Sequence, residues 1–376
     1  MSALTRAPRA GARELAATLL AFDDRTPDHP ARGGQGVAVA GLARHLPAAG
    51  VAVVVCSSRR APAGLQWPGG GPTRRPALDF SWWLARQLPE LARRTRPAVW
   101  HAQGGPGGVL LLRRPPGAPL VYTANHTYRQ AHGGRWATRP LALLEGRGYR
   151  AAAHVLAISA STAQAVVSDH GVARDRVSVL APGIDAALFH PPAPGEREPA
   201  TLLFCGRLEP VKGLAVFTAL VDELAEERPQ LRAIICGDGP ERDRAAALAR
   251  RWPGRVVVTG RIEDEQLAAQ QRRATICIVP SAYEGLGLVA LEALASGTVV
   301  VAHDVSGLHD LAAAGLLLVP PGRPRALGTV VRELLDDPAR RDAAGAVGRA
   351  HVLAHHSWAE VARATSAVYR GVGEER

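Results

Sequence analysis

Two cations five positions apart, Arg207 and Lys212, stand in the segment FCGRLEPVKG, which continues the apolar run TLLFC. A guanidinium grips two oxygens with its planar fork, while an ammonium is a compact point charge, so the pair suits a diphosphate. Lys212 is also the only lysine in the chain; every other fixed basic side chain is arginine. Where arginine is the default, a single lysine marks a place that wants the point charge. The competing reading is a solvated loop closed by an Arg207–Glu209 ion pair. The lysine count favours the diphosphate.

A second cluster is PSAYEGLGLVALEALASG, residues 280–297, directly after the run ATICIV. Glu284 and Glu292 are separated there by seven residues. Gly285, Leu286, Gly287 and Leu288 fall where a helix begins; glycines let a ligand approach the backbone, and unpaired N–H groups attract anions. Eight helical positions rise about 12 Å, comparable with the reach from sugar to ribose in a nucleotide sugar. That spacing puts Glu284 at a hexose and Glu292 at ribose hydroxyls. Most glutamates simply face solvent. Glu292, however, sits among Leu291, Ala293 and Leu294 and reads as buried, where an unpaired carboxylate is costly. Residues 285–290 also fit a GxGxxA dinucleotide pattern, so a nicotinamide-dependent oxidoreductase is the enzyme rival. The match is loose, because the glycines do not close the strand and no acidic residue ends a second strand at the expected distance.

Polar residues collect at other strand ends. Gly239 in CGDGPER is either part of an ordinary turn or of the nucleotide-site wall. Gly33 and Gly34 precede a predicted helix whose N-terminus can face the same diphosphate. His101 and Gln103 follow one strand, Asn125, His126 and Tyr128 a second, and Ser159 a third. The carboxyl ends of parallel strands are where an acceptor would be recognised; of the two histidines, His126 is preferred.

The elements that position these groups read as α/β. Apolar runs of strand length alternate with helical segments, which predicts parallel sheets. In the first half strands are expected near Leu15–Phe22, Ala52–Cys56, Ala98–His101, Leu120–Thr123, Val155–Ile158 and Val177–Leu180. Helices are expected over Gly36–Ala48 (Val37, Ala40 and Leu42 inward), Phe80–Arg94 and Arg135–Ala153. A Pro/Gly-rich stretch, 181–199, reads as a linker. Beyond it strands are expected at Thr201–Cys205, Arg232–Cys236, Val256–Thr259, Ile276–Val279, Val299–Ala302 and Leu316–Val319. The intervening helices are Leu214–Glu227, Arg242–Arg251, Asp264–Arg273 and Leu288–Ser296, and Trp358–Tyr369 closes the chain as one more. Two doubly wound domains facing a central cleft are the expected architecture.

With 376 residues and 47% hydrophobic content the chain can build two cores. The formal net charge of +11 raises a basic nucleic-acid-binding protein as the non-enzyme rival. Against it, aromatics are 5% and pairs such as Arg59-Arg60, Arg74-Arg75 and Arg93-Arg94 lack interleaved stacking residues. A solvated basic face is expected, with an anionic substrate or peripheral contact with an anionic membrane as its functional alternatives. The four cysteines end or lie within strand-like runs and read as buried thiols, not a disulfide frame or metal site. Reduced thiols and a first apolar run too short for a signal peptide predict a cytoplasmic protein.

Together these motifs resemble the GT-B glycosyltransferases of the retaining family 4 type. GRLEPVKG followed by EGLGLVALEALASG carries the resemblance, supported by the Gly33-Gly34 loop, the PGID turn at Pro182–Asp185, GDGP, and Ser357-Trp358. It implies two Rossmann-like domains, 1–185 for the acceptor and 186–355 for the nucleotide sugar, with a helix in 356–376 crossing back to the first. It implies transfer of a hexosyl or N-acetylhexosaminyl group from a nucleotide-diphosphate sugar, UDP-sugar favoured, to a hydroxyl of a small-molecule, natural-product or envelope acceptor. Arg207 and Lys212 then hold the diphosphate, Glu284 the sugar and Glu292 the ribose, with no metal and no prosthetic group. One departure matters: Gln103 stands where many relatives acting on lipid or inositol acceptors carry a second histidine.

Overall fold

A computed structural model describes residues 15–23, 33–62, 64–73, 75–133 and 135–374. Arg74 of the basic pairs noted above lies outside the described residues. Six parallel strands form the first sheet: β1 (Leu15–Leu20), β2 (Val51–Cys56), β3 (Val99–Gly104), β4 (Leu120–Ala124), β5 (His154–Ala157) and β6 (Val177–Val179), in the order β2-β1-β3-β4-β5-β6. Six more form the second: β7 (Thr201–Cys205), β8 (Arg232–Cys236), β9 (Val256–Gly260), β10 (Ile276–Val279), β11 (Val299–His303) and β12 (Leu317–Val319), in the order β12-β11-β10-β7-β8-β9.

Central strands covered on both faces must be apolar throughout, and β10, ICIV, is buried at all four positions. The order of each sheet reverses once, between β1 and β3 in the first and between β7 and β10 in the second. Loops leaving neighbouring strands on opposite faces open a crevice there. In the second sheet those two loops are 206–213 and 280–287, the two segments with the strongest chemical signal in the sequence.

The chain passes between the halves at 181–199 and again before the last helix, Trp358–Glu374. Ile184 bridges Ser357, and the Ile184 N–H donates to the His356 carbonyl at 2.8 Å, so both crossings lie side by side. That last helix lies on the first sheet, burying Trp358, Val361, Ala362, Tyr369 and Val372 with Val39, Leu42 and Val99. A Cβ on Gly41 would fall 2.1 Å from the Trp358 ring, so only glycine admits the indole.

Several elements differ from expectation. The first helix runs Gly34–His45, two residues earlier than predicted, and turns Ala38, Val39 and Leu42 inward, leaving Val37 and Ala40 half-buried, because Trp358 packs on the face that carries Gly41. The second begins at Pro76, and the segment after Arg135 is a short 3₁₀ turn followed by a helix over Arg139–Ala151. Helices at Ala160–His170, Pro324–Asp336 and Pro338–His355 are additional to those expected. The latter two each start on a proline, which belongs at the first helical position since no N–H is needed there. No helix among the described residues is long and apolar enough to cross a membrane.

Candidate functional site

The crevice of the second sheet is assembled by backbone contact between its two loops. Residues Pro210–Lys212 form one 3₁₀ turn that ends on Gly213 at φ +75°. A Cβ on Gly213 would lie 1.9 Å from the Pro280 carbonyl oxygen, so glycine is required for the close approach. The Ala282 N–H donates to the Val211 carbonyl at 2.8 Å, locking the loops together. As a result Lys212 Nζ donates to Glu284 Oε1 at 2.6 Å, and Ser281 Oγ donates to the same oxygen at 2.9 Å. Both partners remain partly open, with side chains 23% and 15% exposed.

Arg207 stands further out on the rim, its side chain 64% exposed and its guanidinium on Glu209 Oε1 at 2.6 Å. Beside it the GDGP turn is held by backbone: Leu208 N–H donates to the Asp238 carbonyl, and Glu241 N–H to the Leu208 carbonyl. A Cβ on Gly239 would crowd the Leu208 backbone at 2.7 Å, so this glycine seats the arginine loop.

Helix Leu288–Ala295 starts after Gly287, at φ 97°, and carries Glu292 in its interior. Glu292 is 3% exposed and buried as expected. It lies close enough to Cys277 that its charge adds to the burial that raises that thiol to about 12. The 12 Å separation argued from helical rise needs correction: Glu284, Gly285 and Leu286 lie in the loop before the helix, so the rise per residue does not measure the Glu284–Glu292 distance.

The first sheet closes the cleft from the other side. Gly33 caps helix Gly34–His45, and a Cβ on Gly34 would lie 3.2 Å from Leu288 Cδ1. The N-termini of two helices therefore approach each other across the crevice, and the Asp23 carboxylate already lies against the first, within 3.2 Å of a Cβ placed on Gly36. A Cβ on Gly285 would lie 2.6 Å from the Asn125 carbonyl oxygen and 3.5 Å from His126 Cβ. The His126 ring meets Tyr283 edge-to-face at 5.8 Å between centroids. Burial lowers His126 to about 4, opposed by its backbone contact at Asn125 and by the charge of Glu284, and helped by Lys212. His126, Lys212 and Glu284 thus share one electrostatic neighbourhood, with His126 neutral at pH 7.

The remaining acceptor candidates point inward. His101 is fully buried, its Nδ1 on the Tyr369 hydroxyl at 2.5 Å and its Nε2 on Thr123 Oγ1 at 2.6 Å. Burial lowers it to about 3. Gln103 Nε2 approaches His101 Nε2 at 3.3 Å, and Asn125 Nδ2 donates to the Gly104 carbonyl at 3.0 Å. Ser159 is buried and caps helix Ala160–His170 by accepting the Thr162 N–H. His101 and Ser159 thus each have structural partners in the first half or in the last helix packed on it. Tyr128 packs with Leu110 and Ala142, and its N–H donates to Glu145 Oε2 at 2.9 Å.

Sequence reasoning missed Ser281, Tyr283 and Asp310. The first two lie in the segment already singled out, and their place between β10 and Glu284 was the available signal. The Tyr283 hydroxyl is buried without a hydrogen-bond partner among the described residues, and burial raises it. Asp310 Oδ2 accepts the Ser161 N–H at 2.8 Å across the cleft, a contact no local pattern announces.

Two Rossmann-like sheets with a crevice between them define the GT-B class of glycosyltransferases. Residues 32–188 match Glycosyltransferase Family 4 and residues 189–351 match Glycosyl transferases group 1. The chain belongs to family 4 of the GT-B glycosyltransferases. It is 31% identical to D-inositol 3-phosphate glycosyltransferase 1 of Catenulispora acidiphila over 293 residues, 70% of this chain and 69% of that one. It is 32% identical to glycogen synthase of Mycobacterium tuberculosis over 262 residues, 67% of this chain and 63% of that protein, and so spans less than two thirds of that relative. In fold it matches the sucrose-phosphate synthase of Thermosynechococcus elongatus at TM-score 0.80 and 24% identity, covering 97% of this chain and 100% of the other. Family membership leaves the nicotinamide and nucleic-acid readings without support.

Proposed function

We propose that this protein transfers a sugar from a nucleotide-diphosphate sugar, UDP-sugar first among donors, to an acceptor hydroxyl with retention at the anomeric carbon. Residues 186–355 are the donor half, 1–185 the acceptor half, and the helix in 356–376 returns to the first. The observation that carries the reading is the Lys212–Glu284 contact at the switch point of the second sheet, with His126 of the first sheet beside it.

Lys212 and Arg207 neutralise the departing diphosphate, the main electrostatic task where charge develops on a leaving group. The N-terminus of helix Leu288–Ala295 adds to that field. Glu284, anchored by Lys212 and Ser281, orients the donor sugar, and buried Glu292 takes the ribose hydroxyls. A carboxylate already engaged by an ammonium and a hydroxyl is a poor nucleophile. This favours same-face attack: the acceptor oxygen bonds to the anomeric carbon, the carbon–phosphate-oxygen bond breaks, and a donor phosphate oxygen takes the proton. Neutral His126 offers a hydrogen bond to the sugar or the acceptor.

A thermal-shift panel of UDP, GDP, ADP, NADH and an oligonucleotide tests the class, because a ligand bound only by the folded state raises its melting temperature. A nucleoside diphosphate alone should stabilise; stabilisation by NADH or the oligonucleotide instead sinks the reading. Product mass spectrometry over a donor-by-acceptor array then identifies the sugar and the hydroxyl class.

A further inference from the structure

The net charge of +11 is not spread over the molecule. Residues 59–150 hold fifteen arginines and three carboxylates, while the rest of the chain holds thirty basic and thirty-one acidic side chains. The three carboxylates do little to offset those arginines. Asp79 is buried and accepts the Thr73 N–H and hydroxyl, Glu90 is held by Arg93 and Arg94, and Glu145 is fully buried.

The same stretch exposes large apolar side chains: Trp136 at 80%, Leu143 at 64%, Leu112 and Trp82. Helix Arg139–Ala151 buries Ala142, Glu145, Gly146 and Tyr149 and turns Arg139, Leu143, Arg147 and Arg150 outward, a stripe with no acidic member. Arg139 lies over the Trp136 ring at 3.6 Å and Arg86 over Trp82 at 3.2 Å. These elements converge on one small core, Leu110, Tyr128 and Ala142 with Leu78 and Leu141, and Ser81 Oγ accepts the Leu110 N–H at 3.0 Å. Tyr128 ties that core to the loop bearing His126.

We infer that the face built by Trp136, Leu143, Leu112 and the arginines around them docks this protein onto an anionic lipid bilayer. Arginine supplies attraction to acidic headgroups, and an exposed indole and leucine beside it suit the boundary between headgroup and acyl chain. A nucleic acid would reward aromatics aligned for base stacking, whereas here each exposed tryptophan already has an arginine over its ring. Docking beside His126 would present the acceptor side of the cleft to the membrane, which favours an acceptor carried on a lipid. The docking itself does not depend on the transferase reading, since it is measured as binding.

The test is co-sedimentation of the full chain with vesicles of phosphatidylcholine alone and of phosphatidylcholine with phosphatidylglycerol. Partition onto the anionic vesicles should exceed that onto neutral ones at least about tenfold and fall with added salt. Arg139→Glu with Arg147→Glu should weaken it about a hundredfold, and Trp136→Ala with Leu143→Ala about tenfold. All four side chains are exposed, so melting temperature and UDP binding should stay as in the parent, and this control separates lost docking from lost fold or lost donor site. Equal partition onto both vesicles, indifference to charge reversal, or tighter binding to an RNA oligonucleotide would overturn the proposal.

Discussion

Both sheets are parallel and reverse their order once, but they differ in strand order and in where their strand-end polar groups point. In the second, the loops after β7 and β10 turn Lys212 and Glu284 into the crevice and leave both partly open. In the first, His101, Gln103, Thr123 and Ser159 occupy equivalent ends but hydrogen-bond one another or a helix N-terminus, all nearly out of solvent. His126, by contrast, turns its ring onto Tyr283 of the other half. A strand end is therefore a place where polar residues gather, and the direction of the side chain decides between chemistry and framework.

The largest effect should come from the open pair. Lys212→Ala and Glu284→Ala should each lower transfer by roughly a thousandfold or more while melting temperature holds, read by single-turnover product formation. Lys212→Arg should not rescue, because the planar fork does not fit a point-charge site; near-parental turnover by any of the three breaks the contrast.

Gly285→Ala tests the seam between the halves. Its new Cβ would meet the Asn125 carbonyl at 2.6 Å, so the cleft should be held ajar and transfer should drop about a hundredfold, with little loss of stability. Small-angle scattering should report the wider cleft.

On the framework side, His101→Ala strands the Tyr369 and Thr123 hydroxyls and should cost about 2–3 kcal/mol in urea unfolding. Turnover per folded molecule should persist. A variant that stays stable and loses activity would move His101 back into the acceptor site.

The smallest effect concerns Glu145, whose carboxyl burial raises to about 8. Its folded value lies above the unfolded one, so its contribution is complete below the unfolded value, about 4.5, and fades as pH rises through 8. Glu145→Gln cannot ionise, so its melting temperature should gain on the parent by roughly a few degrees above pH 8. His170, lowered to about 4 by burial, works in the opposite sense, withdrawing stability as pH falls from its unfolded value of about 6.5.

The second sheet was the more legible in sequence for a physical reason. Its site is built from two local segments, each running directly on from a strand end, that between them carry the glycines, the lysine and both glutamates. Arg207 against Glu209 was visible as a short-range pair, and Glu292 as a carboxylate among leucines. The first half depends on contacts that no window contains: His101 meets Tyr369 across 268 positions, and Ser161 meets Asp310 across 149. Helix phase failed at Val37 and Ala40 because Trp358, far along the chain, covers that helix. The proline-led helices after residue 323 were hidden because proline punctuates loops as often as it opens a helix.

That final helix has a kinetic consequence. The core around Val39, Leu42 and Val99 is completed by residues made long after it, so the first half leaves the ribosome with an open apolar face. Such long-range closure slows folding and exposes early intermediates to aggregation. Nascent chains released short of residue 358 should need a chaperone that chains carrying the Trp358–Glu374 helix can do without.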